Sequence, residues 1–217
     1  MFISFLGCDG SGKSAVIAGV TERLRAQGVM VCHGHWRPRG FGGGSEAAAA
    51  TAENPHGQNP RGWVSSLLKL GWLWLNWWLG WWRFLRHASR DGVLLFDRYH
   101  ADLLVDPRRY RYGGPMALAR LAGRLMPQPD LVIFLDADPE VLLSRKREVS
   151  REALAVARKK YLDLCGGHLR CKVVDASQPL EDVIEDVLRT VGLARCGRPT
   201  STSSAGGYSS QGPHVSR

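Results

Sequence analysis

FISFLGCDGSGKS, residues 2–14, is a short apolar run that ends in glycine and passes directly into the pattern GxxxxGK[ST] at Gly7–Ser14. An apolar run of this length, stopped by glycine, reads as a buried parallel strand. Beyond Lys13, the residues Val16, Ile17, Val20 and Leu24 recur at helical spacing up to Gly28, so a helix is expected over 13–26. Strand, glycine loop and helix in that order form the context in which the motif carries chemistry. Glycines at 7, 10 and 12 let the backbone curl so that its N–H groups point inward, with the positive end of the helix behind them. Asp9 and Ser11 sit in the same loop, Lys13 can bridge β- and γ-phosphates, and the Ser14 hydroxyl can ligate Mg²⁺. ATP with Mg²⁺ is the expected ligand pair.

Outward from this loop the same rhythm repeats. Strands are expected at 29–32, 93–96, 131–135 and 171–174, and helices at 115–125, 139–146, 151–164 and 179–191. Such alternation implies an α/β fold: a three-layer, doubly wound parallel sheet of about five strands, with ligands at the carboxyl ends of the strands. A single domain is expected over 1–195. A Gly-, Ala-, Asn- and Pro-rich stretch at 40–61 reads as a mobile loop, and the Ser/Gly/Pro stretch at 196–217 as a flexible tail.

Two charged features join the loop. VLLFDRY at 93–99 is a buried run ending in Asp97, the type of position from which an acid holds a metal directly or through water. Arg98 beside it is suited to an acceptor phosphate or another anion. Asp138 precedes Pro139 at the start of a helix, and the cations Arg145, Lys146, Arg147, Arg151, Arg158, Lys159 and Lys160 follow. That basic segment, 144–160, reads either as a lid over a triphosphate or as a solvated helix face.

Composition narrows the class. Of 217 residues, 44% are hydrophobic and 23% charged, which is globular. The formal charge is +9, carried by 23 Arg against 6 Lys. An Arg excess suits an anionic small-molecule substrate, and codon bias would produce it without function. Nucleic acid is not the expected partner, because the aromatics cluster in one apolar run and do not alternate with cations as stacking platforms do. Five cysteines, without a CxxC pair, point away from zinc or a disulfide framework and toward a reducing, cytoplasmic setting. The apolar N-terminus lacks a basic region before it and reads as a strand, not a signal peptide.

LGWLWLNWWLGWWRFL at 70–85 holds six of the eight tryptophans. Only 13 residues separate Lys69 from Arg83, fewer than the roughly 20 a bilayer crossing needs. A helical segment over 63–87 is expected, apolar all round and therefore placed in the core; a homodimer interface and a membrane-surface element are the other readings.

GCDGSGKS at 7–14, FDRY at 96–99, LDADPEVLLSRK at 135–146, Tyr161 and DASQPLEDV at 175–183 together resemble the thymidylate kinases, within the P-loop nucleoside monophosphate kinases. The resemblance implies transfer of the γ-phosphate of ATP to a nucleotide such as dTMP. It puts Gly7, Asp9, Gly10, Ser11, Gly12, Lys13, Ser14, Arg145 and Gln178 around ATP, and Ser14 and Asp97 at Mg²⁺. Lys13, Asp97 and Arg145 take the catalytic roles, while Asp9, Arg37, Arg98, Tyr99, Asp102 and Arg109 surround the acceptor. Because positions 8–11 carry no cation, the lid must supply one.

The acceptor half departs from the family. HGHWRPRG at 33–40 replaces the TREPGG-like segment, and HADLLVDPRRYRYGGP at 100–115 replaces the region after DRY. This remodelling is similar to a divergent branch associated with cell-envelope polysaccharide synthesis, which implies a sugar or glycan precursor as an alternative acceptor. A nucleotide-dependent binding or regulatory module is a further alternative.

Overall fold

The computed structural model describes residues 1–35, 62–87, 92–146, 149–167 and 170–196. The expected mobile loop (40–61), the expected tail beyond residue 196, and Arg37 lie outside the described residues.

Five strands, β1 (Phe2–Gly7), β2 (Val31–His35), β3 (Val93–Asp97), β4 (Leu131–Asp136) and β5 (Cys171–Asp175), form one sheet in the order β2-β3-β1-β4-β5. Every pairing is parallel. Seven helices are described: α1 (Lys13–Ala26), α2 (Trp63–His87), α3 (His100–Val105), α4 (Met116–Arg124), α5 (Pro139–Arg145), α6 (Arg151–Gly166) and α7 (Leu180–Cys196). The expected doubly wound α/β architecture is the observed one.

β1 is central and buried at all six positions, the environment a parallel strand needs on both faces. Side chains of β3 alternate between two cores. Val93 and Leu95 join Ile3, Phe5, Val16, Val20 and Leu135 on one face. Leu94 and Phe96 join Phe2, Leu70, Leu73 and Ala119 on the other. The register aligns Phe5 with Asp97 and Gly7 with Leu135, so the ends of β3 and β4 flank the loop that leaves β1.

The helix expected over 13–26 forms with those bounds. It closes through Gly28 at φ 74°, with the Val29 N–H donating to the Leu24 carbonyl. That closing turn consumes Val29, which is why β2 begins at Val31 and not at residue 29. The short helix α3 carries too few turns to show a periodicity and was not anticipated.

Two expectations are corrected. Cys165, in the last turn of α6, is bonded to Cys171, the first residue of β5. An odd cysteine count excludes complete pairing, not a single pair, and the compartment reading that rested on it loses its basis. The tryptophan segment is helical, but it is not a core helix. Leu70 and Leu73 are buried, whereas Leu68 is 71% exposed and Trp72, Leu75 and Trp82 are each more than half exposed. Apolar composition on every side did not bury every side, because only one sheet face was there to receive it.

Two loop glycines separate backbone conformation from crowding. Gly10 (φ 86°) and Gly12 (φ 78°) both occupy the left-handed region, but a Cβ at Gly10 would lie 2.7 Å from the Leu142 carbonyl oxygen, and one at Gly12 would touch nothing. Gly12→Ala is therefore expected to cost about 1–2 kcal/mol for the conformation alone. Gly10→Ala should cost roughly 1–3 kcal/mol more for the forced contact. Urea unfolding of the two variants measures the difference.

Candidate active site

The glycine loop holds Lys13 tightly. Its ammonium donates to the carbonyls of Gly7 and Cys8, both at 2.8 Å, and to Ser11 Oγ at 3.3 Å. Burial lowers its pKa from the ordinary 10.5 to about 8; Arg98 pushes the same way, and Asp102, Asp9 and Asp97 oppose the fall. Ser14 is exposed in the first turn of α1, where N–H groups have no intrahelical partner and no acid competes for an anion.

Asp97 ends β3 beside this loop. Its Oδ1 is buried and has no hydrogen-bond partner among the described residues. A buried carboxylate oxygen left unpaired costs free energy unless a cation or donor completes it. With the Ser14 hydroxyl it offers hard oxygen ligands, which fit Mg²⁺.

Arg98 follows in a conformation rare for a residue with a side chain, φ 65°. Its N–H donates to the Phe5 carbonyl at 3.1 Å, continuing the ladder from β1 while the side chain turns across the strand ends. Holding a non-glycine residue there costs on the order of 1–3 kcal/mol, which the surroundings must offset. They do so with charge. Arg98 donates to Asp9 Oδ1 at 2.6 Å and to Asp102 Oδ2 at 2.7 Å. Arg109 donates to the other oxygen of Asp9. Burial opposes ionisation of Asp9, but the two guanidiniums outweigh it and hold the carboxyl well below the usual range.

Asp102 is 1% exposed and reaches the site only through Arg98. Its remaining capacity is taken by the hydroxyls of Tyr161 (2.7 Å) and Tyr110 (3.3 Å), which burial pushes far up in pKa and so keeps as donors. The acceptor contact expected of Asp102 is thus replaced by an anchoring one. Tyr99 is corrected similarly: it packs against Phe2 and Phe96, and its hydroxyl donates to the Pro127 carbonyl, away from the loop. Neither role was visible in sequence, since Tyr110 and Tyr161 stand 8 and 59 residues from Asp102.

A cavity of about 430 Å³ opens between the glycine loop, the segment after α3 and the first half of α6. Four cations, Arg98, Arg108, Arg109 and Lys160, line it together with the acids Asp9, Asp106 and Glu152. Its size suits a small molecule. On the far side of the loop, Arg145 donates to the Ala176 carbonyl at 2.8 Å, so its guanidinium lies at the β5–α7 connection that carries Gln178. The basic segment beyond is tied down where it is described. Arg158 is bidentate to Asp136 at 2.8 and 2.9 Å and reaches Asp138 at 2.6 Å, and Arg151 pairs with Glu140. Arg147 lies outside the described residues.

No family model matches the chain. A thymidylate kinase of Nitratidesulfovibrio vulgaris (strain DP4) is 33% identical over 230 aligned positions, covering 89% of this chain and 93% of the relative. The chain is a distant member of the thymidylate kinase family. A probable thymidylate kinase of Archaeoglobus fulgidus is 25% identical over 206 positions, covering 88% of this chain and 94% of that protein. At 88% and 89% of the chain, both alignments run through residues 100–115, so that segment is a variation within the family.

The anchoring role of Asp102 separates two substitutions. Asp102→Ala should cost about 3 kcal/mol, since it leaves the buried Arg98 charge half compensated, which is roughly 10 °C in Tm for a chain of this size. Tyr161→Phe should cost about 1 kcal/mol, one hydrogen bond. Thermal unfolding of both variants checks the ratio.

Proposed function

We propose that the protein is an ATP-dependent nucleoside monophosphate kinase that transfers the γ-phosphate of ATP to dTMP. The observation that carries the reading is a glycine loop whose buried Lys13 feels the charges of Asp9 and Asp97, with the unpaired Asp97 oxygen and the Arg98–Asp9–Arg109 cluster beside it. The names of its relatives support dTMP as the acceptor, and the cavity beside Arg98 has the volume of a small-molecule site.

In this reading the loop N–H groups and Lys13 hold the β- and γ-phosphates, and Lys13 exchanges its carbonyl partners for phosphate oxygens. Ser14 and Asp97 hold Mg²⁺, which when bound neutralises charge on the transferring group. Arg145 and Gln178 flank the adenine in this reading, a planar guanidinium being a good stacking surface. Arg98 and Arg109 grip the acceptor phosphate, and Asp9 competes with it for the same guanidiniums. Phosphoryl transfer then needs alignment and charge stabilisation more than covalent chemistry.

A panel of nucleoside monophosphates and sugars with Mg·ATP tests the reading by ADP release. Turnover is expected with dTMP. Turnover with sugars alone would move the acceptor to a glycan precursor, and none with any acceptor would reject the kinase. Lys13→Ala and Asp97→Asn should each lower kcat by about a hundredfold or more; wild-type turnover in Asp97→Asn would displace the metal from that acid.

The titration of Lys13 gives a second check. Its charged form, disfavoured by burial, is lost as pH rises through about 8. Phosphate binding requires that charge, so the Kd for Mg·ATP should rise by up to about tenfold per pH unit above 8. Lys13→Met should bind weakly and without this slope, as read by calorimetry between neutral and alkaline pH.

A further inference from the structure

We propose that the Cys165–Cys171 disulfide is a redox-sensitive latch, and that its reduction by a dithiol loosens the acceptor side of the candidate active site. The bond joins the last turn of α6 to the first residue of β5, 6 positions along the chain. A bond closing so short a loop removes less freedom from the unfolded chain than one spanning a domain. Its effect therefore falls mainly on local geometry. Both elements it joins are weakly held at that point. The last turn of a helix frays most readily, because its carbonyls lack intrahelical partners. β5 stands at the end of the sheet, and of its 5 residues Val174 alone is fully buried.

What the bond holds is the anchor behind Arg98. Tyr161 lies one turn before Cys165 on the same helix face, and both are buried. The Tyr161 ring stacks on Phe134, and its hydroxyl donates to Asp102, which in turn accepts from Arg98. Lys160, beside it, donates to the Val105 carbonyl at 3.1 Å, at the end of α3. The first half of α6 is secured separately, by buried Leu154 and by the ion pairs of Arg158 with Asp136 and Asp138. Reduction therefore frees the end of α6 back to Tyr161 and leaves the fold in place. Cys165 is 8% exposed and Cys171 only partly buried, so Cys171 offers the more accessible sulfur. A thiolate of the dithiol attacks that sulfur, and Cys165 leaves as a thiolate that takes up a proton. The second thiol of the reductant then displaces Cys171, which takes up the other proton. The protein gains two electrons and two protons, and the reductant departs as its own disulfide.

The full-length protein is compared after oxidation with glutathione disulfide and after reduction with dithiothreitol, with alkylation and peptide mapping to read each cysteine. Reduction should speed amide exchange across residues 161–166 by about tenfold or more, with little change across 2–7. It should lower Tm by about 5 °C and raise the KM for the phosphate acceptor by about threefold or more. The Kd for Mg·ATP should stay within about twofold, because the loosened anchor acts through Arg98. Joint replacement Cys165→Ser and Cys171→Ser should reproduce the reduced state and abolish the response to dithiothreitol, although Cys8 and Cys32 remain. The kinetic arm rests on the phosphoryl-transfer proposal; the exchange arm does not, and it decides alone if no acceptor turns over. Oxidised protein without a 165–171 cross-link overturns the latch. So does equal exchange across 161–166 in the two states, or an unchanged acceptor KM in protein that turns over. The comparison of oxidised with reduced wild type needs no variant.

Discussion

Arg98 is a guanidinium removed from water and caught between two carboxylates, and much of the active-site side of the molecule is organised around it. It ends the ladder from β1, crosses to Asp9 in the glycine loop, and is fixed from behind by Asp102. A buried charge of this kind adds little net stability compared with an apolar replacement, yet it becomes very costly once a partner is lost. Its value is therefore specificity of arrangement. Asp102 ties Arg98 to Tyr161 on α6, so the glycine loop, the end of β3 and α6 keep one relative geometry.

The same network sets the electrostatics of the loop. Arg98 contributes to lowering the affinity of Lys13 for its proton, while Asp9 and Asp102 keep it from falling further. Asp9 pairs with two of the arginines that line the cavity, Arg98 and Arg109. An anionic ligand that reaches Arg98 and Arg109 would share those guanidiniums with Asp9.

Two cores divide the support of the strand ends from that of the helix richest in tryptophan. One core, beneath α1, α6 and α7, supports the loop and strand ends. The other, beneath α2, α3 and α4, uses Leu70 and Leu73 from α2 and leaves the outer side of that helix to the surroundings. Tyr110 joins the two, since it packs in the second core and donates to Asp102 behind Arg98.

The loop at Gly7–Ser14, the strand before it, the helix after it and the alternation that yields a parallel sheet were legible from residue order, because each depends on contacts within a few positions: apolar runs, glycine stops and a 3.6-residue period. Asp97 could be singled out for the same reason, as an acid at the end of an apolar run. The pairing of Asp102 with Tyr161, the turning of Tyr99 into the core, the Cys165–Cys171 bond and the exposed side of α2 could not. Each depends on which elements become neighbours across the sheet, and on how much surface a finite core can cover. Local pattern carries no record of either quantity, so tertiary packing alone decided them.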